Sequence, residues 1–225
     1  MGETVRLQAS DGHGFDAYVA RPQGDPKTGL VVCQEVFGVN EHIREVADSF
    51  AEAGYLTIAP HLFDRIERGV SLGYGPDDLD YGRSLRARID WDDAALDIEA
   101  AVKRLREELG QDARIGVVGY CWGGSLAWLA ACRLPVQAAV GYYGGQIYEL
   151  NDEDPRCPTM LHFGEEDPII AFDQVEAIRE AHPDVIDHVY RAGHGFNCDR
   201  REDYDEAAAN LARSRTLAFL AQHLG

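Results

Sequence analysis

The sequence predicts an α/β fold, a single doubly wound and mostly parallel sheet with helices on both faces, and three observations carry that expectation. Short β-rich runs alternate with longer stretches of helical period along all 225 residues, the pattern that a parallel sheet with crossover helices requires. Leu30-Val31-Val32-Cys33 is apolar without alternation, as a strand buried on both faces should be. No interdomain linker, internal repeat or low-complexity tract interrupts the alternation, so one domain over 1–225 is expected.

Thr4 to Gln8 and Phe15 to Arg21 read as opening strands joined by the Asp11-Gly12 turn. Leu30 to Cys33 follows as the first fully buried strand. From about Glu41, the residues Ile43, Val46, Ala47, Phe50 and Ala51 recur at helical spacing until Gly54 stops them. Leu56 to Ala59 is the next strand. Pro60 to about Asp90 is polar, glycine-bearing and longer than an ordinary connection, so an irregular loop bordering the site is expected there. Asp92 to Glu108 is an amphipathic helix with Leu96, Ile98, Ala101, Val102 and Leu105 inward. The strand Ile115 to Gly119, a buried helix Gly123 to Cys132 and the strand Ala138 to Tyr142 come next. Thr159 to Phe163, a helix Phe172 to Ala181, the strand Ile186 to Tyr190 and a helix from about Asp203 to His223 complete the chain.

Composition excludes several function classes. With 45% hydrophobic and 27% charged residues, the chain has the balance of an ordinary soluble protein, and no apolar run approaches the roughly 20 residues of a membrane span. The start, Met1-Gly2-Glu3-Thr4-Val5, lacks the basic and apolar regions of a secretory signal, so a cytoplasmic, reducing location is expected. Five cysteines, an odd number without paired spacing, argue against a disulfide framework or a zinc site. The histidines lack ligand spacing too, and neither metal nor cofactor is indicated. A net charge of −18 disfavours nucleic acid and anionic membranes as partners. A small-molecule substrate is expected.

The chemistry centres on Gly119-Tyr120-Cys121-Trp122-Gly123-Gly124, where an apolar strand stops and an apolar helix starts. This is a nucleophile elbow with cysteine in place of serine. The sharp turn thrusts the sulfur out above the sheet, flanking glycines remove side chains that would clash, and the helix N-terminus favours a thiolate. A carboxylate and a histidine then follow in the chain order of this motif. Asp167 stands in Phe163-Gly164-Glu165-Glu166-Asp167-Pro168 after one strand, and His194 in Ala192-Gly193-His194-Gly195-Phe196 after the next. His194 is the candidate general base, and Asp167, with Glu165 and Glu166 as alternatives, the group that orients it. The oxyanion hole of this arrangement uses the backbone N–H of Trp122 and a second one from Gln34-Glu35-Val36-Phe37-Gly38. The fold expected is therefore the α/β-hydrolase fold.

Three segments, Gln34-Glu35-Val36-Phe37-Gly38-Val39-Asn40, Val118 to Gly124 and Ala192 to Phe196, resemble the dienelactone hydrolases, or carboxymethylenebutenolidases. Val140-Gly141-Tyr142-Tyr143-Gly144 and Asp97-Ile98-Glu99-Ala100-Ala101 extend the resemblance over essentially the whole chain. It implies a hydrolase of small lactones or esters acting through an acyl-enzyme. It also implies that Glu35 contacts the resting thiol, and that Val36 donates the second oxyanion N–H. The family holds a substrate carboxylate with two arginines, whose places fall here on Cys198 and Leu79. Arg200 and Arg201 lie near the first, and Arg83 one helical turn beyond the second. A related lactone or a less acidic ester is then the expected substrate, with Arg83 and Cys198 as candidate contacts. Phe37 and Tyr143, with Trp122 and Phe196, are candidates for an aromatic wall. A thioester hydrolase and a binding protein without turnover are the competing readings.

Overall fold

The structure, a computed structural model, describes residues 2–225. Its opening strands β1 (Glu3–Gln8) and β2 (Gly14–Ala20) pair antiparallel across the turn in which Asp11 accepts the His13 backbone N–H. The other strands are β3 (Thr28–Cys33), β4 (Leu56–Pro60), β5 (Arg114–Tyr120), β6 (Ala138–Tyr142), β7 (Thr159–Gly164) and β8 (Ile186–Tyr190). All eight form one sheet in the order β1-β2-β4-β3-β5-β6-β7-β8, parallel from β4 to β8. Strands β3 to β7 are almost wholly buried, which is why their sequences run apolar rather than alternating. β8, at the edge, keeps polar Asp187 and His188 along its length.

Among the described residues there are six α-helices, α1 (Glu41–Glu52), α2 (Pro76–Arg86), α3 (Trp91–Leu109), α4 (Trp122–Arg133), α5 (Phe172–Ala181) and α6 (Glu206–Leu224), of which α1, α3, α4 and α6 pack on the sheet. α1 and α6 share one face, where Arg213 donates to the Ser49 carbonyl and lies over the Phe50 ring. α3 packs beside α4 on the other. α4 is buried from Trp122 to Cys132, as its Ala/Leu-rich sequence requires. No helix among the described residues is long and apolar enough to cross a membrane.

The expectation of an irregular loop over 60–90 is corrected by α2. Its helix starts at Pro76 after Gly75, with Asp77 and Asp78 in the first turn, where they complement the dipole. Only Gly82 and Leu85 are buried, so no apolar stripe marks it in the sequence. Gly82 decides where α2 sits: a Cβ there would lie 1.9 Å from the Val36 carbonyl oxygen. The final helix also begins later than expected, at Glu206, capped by Asp205, which accepts the Ala208 N–H.

The chain leaves β3 for β4 on one side of the sheet and β5 for β6 on the other. That change of direction opens a crevice outside the carboxyl ends of β3 and β5, where ligands bind in open α/β sheets. Residues 34–40 follow β3 and Cys121 follows β5, so both segments meet at this crevice.

Candidate active site

Cys121 sits between β5 and α4 with φ 54° and ψ −119°, in the left-handed region that costs a non-glycine residue strain. The surrounding glycines explain how the turn closes. A Cβ on Gly119 would lie 1.8 Å from the Gly123 carbonyl oxygen, and one on Gly123 would lie 2.3 Å from that of Cys33. The Cys121 N–H donates to the Tyr142 carbonyl, tying the elbow to the end of β6. The sulfur stands 3.2 Å from His194 Nε2, and His194 Nδ1 is 2.7 Å from Asp167 Oδ2. Asp167 in turn is fixed through Oδ1, which accepts the N–H groups of Ile169 and Ile170.

Both partners of the thiol are buried, with His194 2% and Asp167 8% exposed. Burial alone would push the imidazole toward neutrality. The electrostatic influence of Cys121 and the hydrogen bond that Nδ1 donates to Asp167 outweigh it and lift His194 to about 10. The arrangement can therefore hold a proton on His194 beside the sulfur. The first N–H of α4, that of Trp122, is one that a helix leaves without an internal acceptor. Val36 borders the same pocket as Cys121. The two residues expected to supply an oxyanion hole thus border the same pocket as the sulfur.

The pocket, of about 470 Å³, is lined by Cys121, His194, Trp122 and Val36, by Leu79, Arg83 and Arg86 of α2, and by Ile169, Gln146 and Arg201 among others. Leu79, Arg83 and Arg86 recur at i, i+4 and i+7, one face of the helix. Arg86 and Arg201 were not among the residues expected to touch substrate. The helical spacing 79-83-86 is the signal that would have found Arg86. Arg201 reaches the site over Gly195, whose φ is +85° and where a Cβ would lie 2.6 Å from the guanidinium carbon. Arg200 turns outward instead and pairs with Glu41 and Glu45.

Glu35 is fully buried, not the solvated carboxylate that a strand end would suggest. Its Oε1 accepts from Arg201 Nη1 at 3.3 Å and its Oε2 from the Tyr74 hydroxyl at 3.4 Å. Among the described residues no hydrogen bond joins Glu35 to Cys121, whose sulfur faces His194. The hydrogen bonds of the Glu35 carboxylate thus go to Arg201 and Tyr74.

Three expected substrate contacts are misplaced. Phe37 (2% exposed), Tyr143 (0%) and Cys198 (0%) are buried and do not line the pocket. Phe37 packs between Tyr74 and Arg201. Tyr143 packs edge-on or tilted against His194, Phe196 and Tyr142, at a φ of 39°. Of the proposed aromatic wall only Trp122, stacked on Phe63, borders the pocket. Arg83 does line it.

An elbow after β5, a carboxylate after β7 and a histidine after β8 define the class: an α/β-hydrolase with a thiol at the nucleophile position. Residues 15–224 match the dienelactone hydrolase family. The chain is 34% identical to the carboxymethylenebutenolidase of Pseudomonas putida over 98% of its own length and 97% of that protein's. It is 29% identical to carboxymethylenebutenolidase 1 of Cupriavidus pinatubonensis over 98% and 97%. A crystal structure of a Klebsiella pneumoniae protein, provisionally assigned as a dienelactone hydrolase, superposes with a TM-score of 0.84 at 30% identity, covering 98% of this chain and 99% of that one. The chain belongs to the dienelactone hydrolase family, and it is a hydrolase.

Proposed function

We propose that the protein opens a small lactone, or cleaves a small ester, that carries a carboxylate, with Cys121 as nucleophile. The observation that carries this reading is the unbroken chain from Cys121 through His194 to Asp167, at 3.2 and 2.7 Å, in a pocket that also presents Arg83, Arg86 and Arg201. Three guanidinium groups around one small cavity, in a chain of net charge −18, supply the local positive field an anionic substrate needs. They replace a two-arginine clamp at Leu79 and Cys198 by groups reached from α2 and from the turn after His194.

The thiolate of Cys121 attacks the acyl carbon, and the developing oxyanion is held by the backbone N–H groups of Trp122 and Val36. As the tetrahedral intermediate collapses, His194 gives its proton to the departing oxygen. Asp167 keeps the imidazole in the required tautomer. Water, deprotonated by His194, then releases the acid from the thioester. Glu35, by accepting from Arg201, positions the guanidinium that borders the same pocket as the sulfur. We also place the protein in the cytoplasm, a reading supported by five free cysteines.

The test is hydrolysis of cis- and trans-dienelactone, and of their methyl esters, by the wild type, Cys121→Ser and Arg201→Ala. The expected result is loss of at least 10³-fold in kcat/KM for Cys121→Ser. For Arg201→Ala the loss should fall on KM for the acids and spare the methyl esters. Equal turnover of acids and methyl esters by the wild type would overturn the carboxylate preference, and full activity in Cys121→Ser would overturn the nucleophile.

A further inference from the structure

Behind the pocket wall, Glu35, His42 and Cys198 bring one carboxylate oxygen, one imidazole nitrogen and one sulfur within 4.8 Å of one another. All three residues are buried. They come from three places: the segment after β3, the first turn of α1, and the turn after His194. We propose that they form a site for a thiophilic divalent transition-metal ion, and that occupying it restrains Glu35 and slows hydrolysis.

His42 supplies the independent observation. Its Nδ1 faces the Asp199 carboxylate at 3.5 Å, while its Nε2 is buried and has no hydrogen-bond partner among the described residues. A histidine with a carboxylate near one nitrogen and the other nitrogen buried and unpartnered has the disposition of metal-ligating imidazoles, which commonly face a carboxylate on the nitrogen that does not bind the metal. Glu35 is similarly disposed. Arg201 occupies its Oε1, and Oε2 carries only the 3.4 Å contact from the Tyr74 hydroxyl. A metal can therefore bind Oε2 without displacing Arg201.

The donor set, one sulfur, one nitrogen and one oxygen, suits zinc or cobalt and not magnesium or calcium. With metal–ligand bonds of about 2.0–2.3 Å, a tetrahedral centre brings its donors to roughly 3.3–3.8 Å of one another. The observed 4.8 Å calls for a contraction of about 1 Å, within side-chain rotation. Water completes the fourth position, and binding releases the Cys198 thiol proton to solvent. A surface cavity of about 250 Å³ is bordered by His42 of this cluster, together with Glu45, Asn197 and Asp199. The effect on turnover rests on the hydrolytic reading above; the binding does not.

The experiment is a titration of chelator-treated protein with cobalt(II), followed by its visible and near-ultraviolet spectrum, then inhibition by zinc(II) of turnover on the best substrate found. The site predicts one equivalent with a thiolate-to-cobalt charge-transfer band. The band should persist in Cys121→Ser, which removes the competing thiol, and binding should weaken at least tenfold in His42→Ala and Cys198→Ser. Zinc should slow the wild type and leave His42→Ala, with its turnover otherwise unchanged, insensitive. Absence of the band in Cys121→Ser overturns the site even where a cluster variant fails to fold. Binding of cobalt that survives in both His42→Ala and Cys198→Ser overturns it as well. A cobalt band without zinc inhibition keeps the site and overturns its coupling to Glu35. Loss of all hydrolysis irrespective of metal counts against the hydrolytic reading alone.

Discussion

His194 and His162 are both buried imidazoles with a partner at each ring nitrogen, and they are driven in opposite directions. His194 has Asp167 at 2.7 Å and Cys121 at 3.2 Å. His162, on β7 and fully buried, has the Tyr190 hydroxyl at 2.8 Å and the Thr216 hydroxyl at 3.0 Å. Burial holds His162 well below the usual histidine range, with His188 and Arg215 adding to the effect. In His194 the same burial is outweighed by Cys121 and a carboxylate, and the proton is held to about 10. The strand β7 and the turn after β8 thus present a neutral structural imidazole and a chargeable one from the same side chain. The partners decide which, not the depth.

The sharpest way to break the comparison is to make the partners of His194 neutral. Asp167→Asn keeps an oxygen for the Ile169 and Ile170 N–H groups but can turn an amide N–H toward His194 Nδ1. That forces the tautomer whose Nε2 bears the proton and cannot accept one from the thiol. On the hydrolytic reading kcat/KM falls by about 10³–10⁴-fold with an unchanged far-ultraviolet dichroism spectrum. A loss smaller than tenfold would mean that Asp167 does not orient the base.

The converse change, His162→Phe, removes the neutral imidazole and leaves the hydroxyls of Tyr190 and Thr216 each short of one partner. Arg215 still donates to Tyr190, and Tyr142 still pairs with Thr216, so the network is weakened, not abolished. Stability should fall by about 1–3 kcal/mol in chemical denaturation, with kcat/KM within twofold of the wild type. A tenfold loss of activity in a folded variant would place His162 in the working site and dissolve the contrast.

What the sequence made legible follows from the same distinction between local and distant causes. Cys121, Asp167 and His194 each stand in a short motif at the end of a strand, so the chain order alone brings them together. Glu35 was legible only by resemblance, because its burial depends on Arg201, far along the chain, and on Tyr74. Arg86 was hidden because α2 buries only Gly82 and Leu85; a helix without an apolar stripe leaves no periodic signal, and its place is set by the contact of Gly82 with Val36. Phe37, Tyr143 and Cys198 lie near pocket residues in sequence but are buried away from the pocket lining. Sequence proximity to a catalytic motif says which loop a residue shares, not which side of the loop it faces.

The smallest predicted effect concerns where protonation of His194 ends. Its ordinary value is 6.5, and in the folded protein the proton is held to about 10. A raised value means that the acid form persists to higher pH. On the hydrolytic reading it is the acid form that protonates the departing ring oxygen, so its loss appears as a decline on the alkaline side. Lactone opening by the wild type, corrected for the spontaneous reaction, should therefore hold nearly level from pH 7 to 9 and lose about half its kcat/KM near pH 10. A decline centred near 6.5 would mean that burial prevails over Cys121 and the carboxylate, and that His194 is as neutral as His162.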